Sequence, residues 1–494
     1  MAGYETRREF VGTAARACMT VAVGSLTAGL VPKPARSSPL NTVDAIDPAA
    51  IRKFAGSVKG RVILPADQDY EAARQVWNHA FAKHPGLIVR CAESADVARA
   101  VQFARDRDLL VAIRSGGHSL AGKSTCDGGM VIDLSAMKKL TIDTERRIAR
   151  AEPGILLGEF DAATQAVGLA TTLGTEPSTG IAGLTLGGGL GWLMGKYGLA
   201  CDNLREVEFV TADGSVVTAS PAANQDLYWA ARGAGANFGV ATALEYQLHP
   251  VGQVLAGVLK YPPARLRDVL KMYREFTQTI PDEVSLEVGI IPGMNTLPTP
   301  SIAVCYCGDF AEGEKVLKPL RSFGPPVADS IRPMPYFDFQ KLGAMPADFK
   351  TSTIVHSSIV SDVGDDMIDA IVANAATVPS LGGSFVIEQL HGAACRPGSG
   401  DTAFPHRSPG YSFALHAYWW DAAAADRVRA WGTSFWEAIR PFVSEKAYSN
   451  YLGDEGPDRA RAAYGANYQR LAGMKKRYDP TNFFRLNQNI VPEA

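Results

Sequence analysis

His118 and the residues before it carry the first chemical signal in the sequence. The run Arg114-Ser115-Gly116-Gly117-His118-Ser119 places a nucleophilic imidazole directly after two adjacent glycines. Without Cβ atoms, such glycines let backbone N–H groups crowd together, which suits a diphosphate. Residues 110–113 just before the run are apolar and predict a short buried strand, so the loop opens at a strand end. A second glycine-dense stretch contains Gly180, Gly183, Gly187, Gly188, Gly189 and Gly191, and leads to Asp202-Asn203. Glycines set among apolar residues describe backbone packed closely on something flat and polar at one end. The Rossmann fingerprint fails on spacing, because Gly187-x-Gly189 is followed by Trp192 where a third glycine should stand, and Gly233-x-Gly235 by Phe238.

Composition narrows the function classes. The chain has 494 residues, 46% of them apolar, enough for two domains with large cores. Its 49 basic and 51 acidic residues are nearly balanced and form no basic tract, which argues against a nucleic-acid partner. Seven cysteines make no Cys-x-x-Cys, and Cys305-Tyr306-Cys307 reads as two buried thiols on one strand face. The eight histidines include no close ligand pair, so no metal is expected.

The N-terminal 40 residues read as a targeting segment. Thr6-Arg7-Arg8-Glu9-Phe10-Val11 resembles a twin-arginine signal, followed by a small-residue apolar run over about residues 13–31. Thr, Gly and Ser dilute that run, so export is preferred to a retained anchor. The expected location is periplasmic or extracellular, with the twin-arginine machinery as a partner.

Behind these sites stand elements of two kinds. Residues 50–250 predict an α+β nucleotide-binding domain. Strand, helix and strand alternate from residue 87 to 113, with Ser94 as N-cap and Val97, Ala100, Val101 and Ala104 at helical spacing. Strands follow at 130–134 and 206–210, and Ala212-Asp213-Gly214 turns the chain into a hairpin with 215–218. Residues 251–440 predict a second domain. Strands at 284–291, 301–307, 384–390 and 411–420, with helices between them such as 423–436, suggest one antiparallel sheet with helices on a single face. Its free face would make a lid, with one of Trp419 and Trp420 on the pocket side.

Four segments in order resemble the berberine-bridge-enzyme-like FAD-linked oxidases of the vanillyl-alcohol-oxidase, or PCMH-type, superfamily. They are the His118 loop, residues 180–204, residues 226–239 ending at Gly239, and residues 467–490 closing with Asn487-Gln488-Asn489-Ile490. Together they span about residues 82–490. The resemblance implies an α+β, two-domain FAD-binding fold (core about 82–252), an antiparallel-sheet substrate domain, and a C-terminal segment, 441–494, that returns to complete the FAD domain. It also implies an FAD bonded through its 8α-methyl to His118. Arg114, Ser115, Gly116, Gly117, Ser119, Gly183, Gly187, Gly188, Gly189, Gly191, Asp202, Asn203, Gly239, Asn487 and Asn489 would then contact the cofactor.

Tyr448-Ser449-Asn450-Tyr451 matches the family's Tyr-x-Asn-Tyr element, which assigns Tyr451 as catalytic base and Tyr448 as the weaker candidate. A phenol with an ordinary pKa near 10 needs a nearby cation or hydrogen bond to serve as a base near neutrality. Glu388, His391, His406 and Arg407 are read as solvated or structurally bonded. Bicovalent relatives carry a cysteine where this chain has Glu176, so attachment through His118 alone is expected, as in a monocovalent bacterial branch, with smaller substrates. The implied reaction takes a hydride from a CH–OH or CH–NH carbon of a small molecule to flavin N5, with O2 then giving H2O2. Thr179 stands where many relatives have a small apolar residue near the oxygen-reacting face, so a dehydrogenase passing electrons to a quinone or protein acceptor is the alternative. H2O2 release against dye reduction separates the two.

Overall fold

Alternation of apolar and polar side chains decides how the chain is layered. The computed structural model describes residues 41–291, 299–344, 351–379 and 382–493; Arg7-Arg8 and the apolar run after them lie outside the described residues. The first sheet runs in the order Arg61–Ile63, Leu87–Arg90, Met130–Asp133, Val111–Arg114. Its last three strands are parallel and nearly wholly buried, as strands covered on both faces must be. Helix Ser94–Arg105 buries Val97, Ala100, Val101 and Ala104 as the spacing predicts. Its N-cap is Glu93 rather than the expected Ser94, whose hydroxyl instead donates to Glu208 at 2.8 Å. Asp96 in the first turn accepts the N–H groups of Lys59, Gly60 and Ala92.

A five-stranded antiparallel sheet follows, in the order Leu140–Asp143, Ile148–Ala151, Val240–Gln247, Leu204–Val210, Val216–Ala219. Its final hairpin turns where expected. Asp213 accepts from Thr211 Oγ1 at 2.6 Å and from the Ser215 N–H at 3.0 Å, and Gly214 takes a left-handed φ of 84°.

Residues 253–419 build the large antiparallel sheet. Its path is Ala328–Asp329, Gln253–Lys260, Thr299–Tyr306, Val284–Ile291, Gly383–Leu390, Gly410–Trp419, Ser352–Val360, with Arg332–Pro335 also paired to Gln253–Lys260. Four of these strands stand within two residues of the expected positions. Gln253–Lys260 and Ser352–Val360 were not separable by pattern, because one is nearly all apolar and Ser and His residues blur the alternation of the other. Leu286, Val288 and Ile290, Phe385 and Ile387, and Phe413 and Leu415 share one core with helices Leu266–Thr277, Asp365–Ala375 and Ala425–Ile439. Truncating a fully buried aromatic such as Phe413 to Ala would cost about 3–5 kcal/mol. Period two sends Glu287, Gly289, Ser384, Val386, His416 and Tyr418 to the opposite face, onto a cavity. A one-residue slip would exchange these two sets, so the core also sets what the cavity displays.

The chain then returns to the first half. Leu471, Ala472 and Met474 of helix Tyr468–Tyr478, with Ile490, share a core with Ile155, Leu186, Trp229 and Phe238. The wholly buried Lys475 donates to the carbonyls of Asn237 and Phe484 and to Asp479, at 2.6–2.8 Å. Burial pulls its ammonium down to about 8, against the pull of Asp479.

Candidate active site

A cavity of about 590 Å3 lies between the large sheet and the glycine-bearing segments. Its floor comes from residues 115–120, 174–190, 233–241 and 484–488, its roof from the polar face of the sheet, and one end from residues 448–452. Four stretches distant in sequence thus share one wall.

The two glycine-rich floor segments meet backbone on backbone. A Cβ on Gly116 would stand 2.3 Å from the Gly180 nitrogen, and one on Gly180 the same distance from Ser115 Oγ. The glycine at 116 is therefore required by the crossing of two loops, where the sequence suggested a cradle of N–H groups. Gly117 takes φ 73°, which turns the chain so that His118 reaches the cavity wall. The imidazole stacks on Trp77, with ring centroids 5.0 Å apart and planes at 24°. Its Nε2 is 2.9 Å from Ser178 Oγ. Burial lowers its pKa to about 4, so the ring is neutral at physiological pH and retains a nucleophilic lone pair.

The other end holds the tyrosines, Tyr448 as the cap of a 3-10 turn, Ser449–Tyr451, and Tyr451 within it. Tyr448 Oη accepts the Gly189 N–H at 2.9 Å and Asn450 Nδ2 at 2.7 Å. Asn450 Nδ2 also reaches the Leu184 carbonyl, and Ser449 the Gly187 carbonyl. These contacts fasten the turn to the second glycine segment and give Tyr448 a structural task. Tyr451 lines the cavity with its phenol beside the buried Glu388, whose carboxyl also has Ser412 as a neighbour. Glu388 stands directly opposite Glu287 across the strand pair. Burial raises both carboxyl pKa values; the Glu388 charge adds to the rise at Glu287, while Tyr451 and Ser412 hold back the rise at Glu388. Burial followed by the Glu388 charge pushes the Tyr451 phenol well above its ordinary range.

Of the cofactor residues expected from sequence, Ser115, Gly116, Gly117, His118, Ser119, Gly183, Gly187, Gly239 and Asn487 line the cavity, as do Tyr448 and Tyr451. The others do not line it. Arg114 lies beneath the loop, 2.7 Å from Asp133 and bonded to the Ala73 carbonyl. Gly189 packs on Ala200 and Gly191 on the Leu173 carbonyl, while Gly188 abuts Phe404. Asp202 is held by Arg407 through two 2.7 Å contacts, and Asn203 caps the Tyr197 and Leu199 carbonyls and meets His249. Asn489 is also absent from the wall, its Oδ1 buried without a partner. His391 and His406 bind the carbonyls of Val284 and Ala447. Trp419 packs under Arg429 and the helices, and Trp420 is exposed, so Tyr418 is the aromatic residue that β-alternation brings to the cavity. Sequence reasoning passed over Trp77, Ser178 and Glu287 and set Glu388 aside. The alternation in Ile387-Glu388-Gln389-Leu390 was the available signal for Glu388, since it opposes that carboxyl to the packed face.

The residues present fit FAD. Gly183 lines the cavity, and a Cβ built there meets nothing within 4 Å, a cradle left open for a flat group. Asn487 on the same wall keeps its Oδ1 buried and unpartnered. Among the described residues no group of three or more His, Cys, Asp or Glu could hold a metal ion.

Comparison with known proteins agrees. Residues 85–220 match the FAD binding domain family and residues 447–491 the berberine and berberine-like family. The chain is 32% identical to (R)-6-hydroxynicotine oxidase of Paenarthrobacter nicotinovorans, over 89% of this chain and 98% of that one. The crystal structure of 6-hydroxy-D-nicotine oxidase from Arthrobacter nicotinovorans superposes with a TM-score of 0.81 at 31% identity, covering 88% of this chain and 99% of that one. Wild-type BBE-like 1 of Physcomitrella patens superposes equally well, TM-score 0.81 at 26% identity, over 90% of this chain and 99% of that one. Fold, cavity and relatives together place the chain in the berberine-bridge-enzyme-like family of FAD-linked oxidoreductases.

Proposed function

We propose that this protein is an oxidase that dehydrogenates a small molecule at a CH–OH or CH–NH carbon and uses O2 as its acceptor. When bound, FAD supplies the hydride acceptor and the route to oxygen. The observation that carries the reading is the Tyr451 phenol set beside the buried Glu388 carboxyl at the cavity end, beneath the polar face of the sheet. Tyr451 takes the hydroxyl or amine proton of the donor as its own phenolic proton passes to Glu388. The tyrosine thus never has to exist as a free phenolate, and the carboxyl, with its pKa raised, receives the proton. The name of the nicotine-oxidising relative supports nitrogen-bearing donors beside alcohols.

His118 is the proposed point of covalent flavin attachment. It is the single candidate at the site, because Glu176 cannot form a thioether. Export through the twin-arginine route completes the reading and rests on Arg7-Arg8 and the apolar run. The deciding experiment is anaerobic flavin bleaching with a panel of alcohols, sugars, amines and alkaloids, followed by reoxidation in air. Bleaching by one donor class with stoichiometric H2O2 supports the oxidase. Bleaching with reoxidation by dyes or quinones but not by O2 would replace it with the dehydrogenase.

A further inference from the structure

A hydrogen-bond chain at the His118 end of the cavity stands apart from the Tyr451 machinery. Ser178 Oγ lies 2.9 Å from His118 Nε2 and donates to Glu176 Oε1 at 2.8 Å. Glu176 Oε1 also accepts the Ser178 backbone N–H at 3.1 Å, which holds the serine over the carboxylate. A hydroxyl has one proton, and here it is committed to Glu176. Ser178 Oγ therefore accepts from His118, so the imidazole hydrogen sits on Nε2. The ring is neutral, so Nδ1 carries the lone pair. The polar group nearest Nδ1 is Thr179 Oγ1 at 3.4 Å, outside the usual hydroxyl range. Trp77 on the ring face fixes its plane. Orientation of one ring nitrogen by a hydrogen bond to the other is the general way in which proteins choose the reactive nitrogen.

We propose that Glu176 and Ser178 are positioning residues for flavin attachment, fixing His118 as the Nε2–H tautomer so that Nδ1 makes the covalent bond. This rests on the histidyl-FAD reading above. In the step, the Nδ1 lone pair bonds the 8α-methyl carbon as one C–H bond of that methyl breaks. Its proton goes to water and its electron pair enters the flavin ring. The charge left on the imidazole is relieved as the Nε2 proton passes to Ser178 and the serine proton to Glu176, which later releases a proton to water. Molecular oxygen then takes the electron pair with two protons and leaves as H2O2. Glu176 thus has a use of its own at the position where bicovalent relatives carry a second attachment point.

The test follows attachment, with no turnover needed. Protein made under flavin starvation is mixed with saturating FAD, and the flavin retained after acid precipitation is measured over time. Ser178→Ala and Glu176→Gln should attach at least about tenfold more slowly than wild type. Ser178→Thr, which keeps the hydroxyl, should restore the rate, and His118→Ala should attach nothing. NMR of the isolated flavinyl peptide should place the bond on Nδ1. If the two residues only prop the loop, their variants would lower Tm or weaken FAD binding but attach at the wild-type rate once saturated, and that result overturns the proposal. A bond through Nε2 overturns it as well. No covalent flavin in wild type would sink the histidyl reading and this proposal together, whereas equal rates across the Glu176 and Ser178 variants would sink this proposal alone.

Discussion

The Tyr451 phenol stands beside the Glu388 carboxyl, and Glu388 faces Glu287 in register across two neighbouring strands. A base is thereby built from a phenol and a carboxyl that belong to different parts of the chain. Removing either half should break the same proton path. Tyr451→Phe and Glu388→Gln should each slow anaerobic flavin reduction by about 10²- to 10⁴-fold with near-normal FAD content. The double variant should be little worse than either alone, since coupled groups are not additive. Stopped-flow absorbance checks this; a Tyr451→Phe enzyme within about threefold of wild type, under 1 kcal/mol of barrier, would remove the tyrosine from the mechanism.

The pH dependence should report the carboxyls rather than the phenol. A phenol acting alone would make the rate climb as it ionises, yet the Tyr451 phenol is pushed up, away from neutrality. The proton acceptor must be ionised to work, and burial raises its pKa. Flavin reduction should therefore fall as pH drops through a value above the ordinary carboxylate range, and level off above it. Burial, not Glu287, sets that rise, so Glu287→Gln should leave the limb nearly in place.

The same shift has a stability consequence of opposite sense. A carboxyl whose folded pKa is raised favours the fold below its unfolded pKa, and that contribution is lost as pH rises through the folded value. Thermal melts should show Glu287→Gln gaining on wild type as the solution becomes alkaline. Parallel Tm curves across pH would contradict the buried pair.

Arg407 and Asp202 should prove structural. Their side chains are bonded to each other away from the cavity wall, with Arg407 only 4% exposed. Arg407→Ala leaves the half-buried Asp202 carboxylate without its cation and should cost about 1.5–3 kcal/mol of unfolding free energy. The fraction that folds should reduce its flavin at nearly the wild-type rate. A rate loss without a stability loss would return Asp202 to the cofactor site.

Export gives a separate test. Arg7→Lys combined with Arg8→Lys should strand flavin-loaded protein in the cytoplasm, as cell fractionation would show. Unchanged export would point to another route.

Local sequence determined much of this protein. The period-two strands act through neighbours two residues apart, so their pattern is legible along the chain, and the glycines of the His118 loop and the Tyr-x-Asn-Tyr element are legible as motifs shared with a family. Strand ends at Gly410–Trp419 and Gly383–Leu390 fell within two residues for that reason. Tertiary structure decided the rest. Which glycines face the cavity and which relieve a crossing depends on what packs opposite them: nothing within 4 Å of Gly183, but the Leu173 carbonyl at Gly191. Glu287 and Glu388 lie 101 residues apart and become a pair only through strand register, which no local pattern encodes. Ser178 reaches His118 across 60 residues in the same way. Sequence carries residue type and face, but distance, desolvation and hence the chemistry of a buried acid or imidazole arise only when separate elements are packed together.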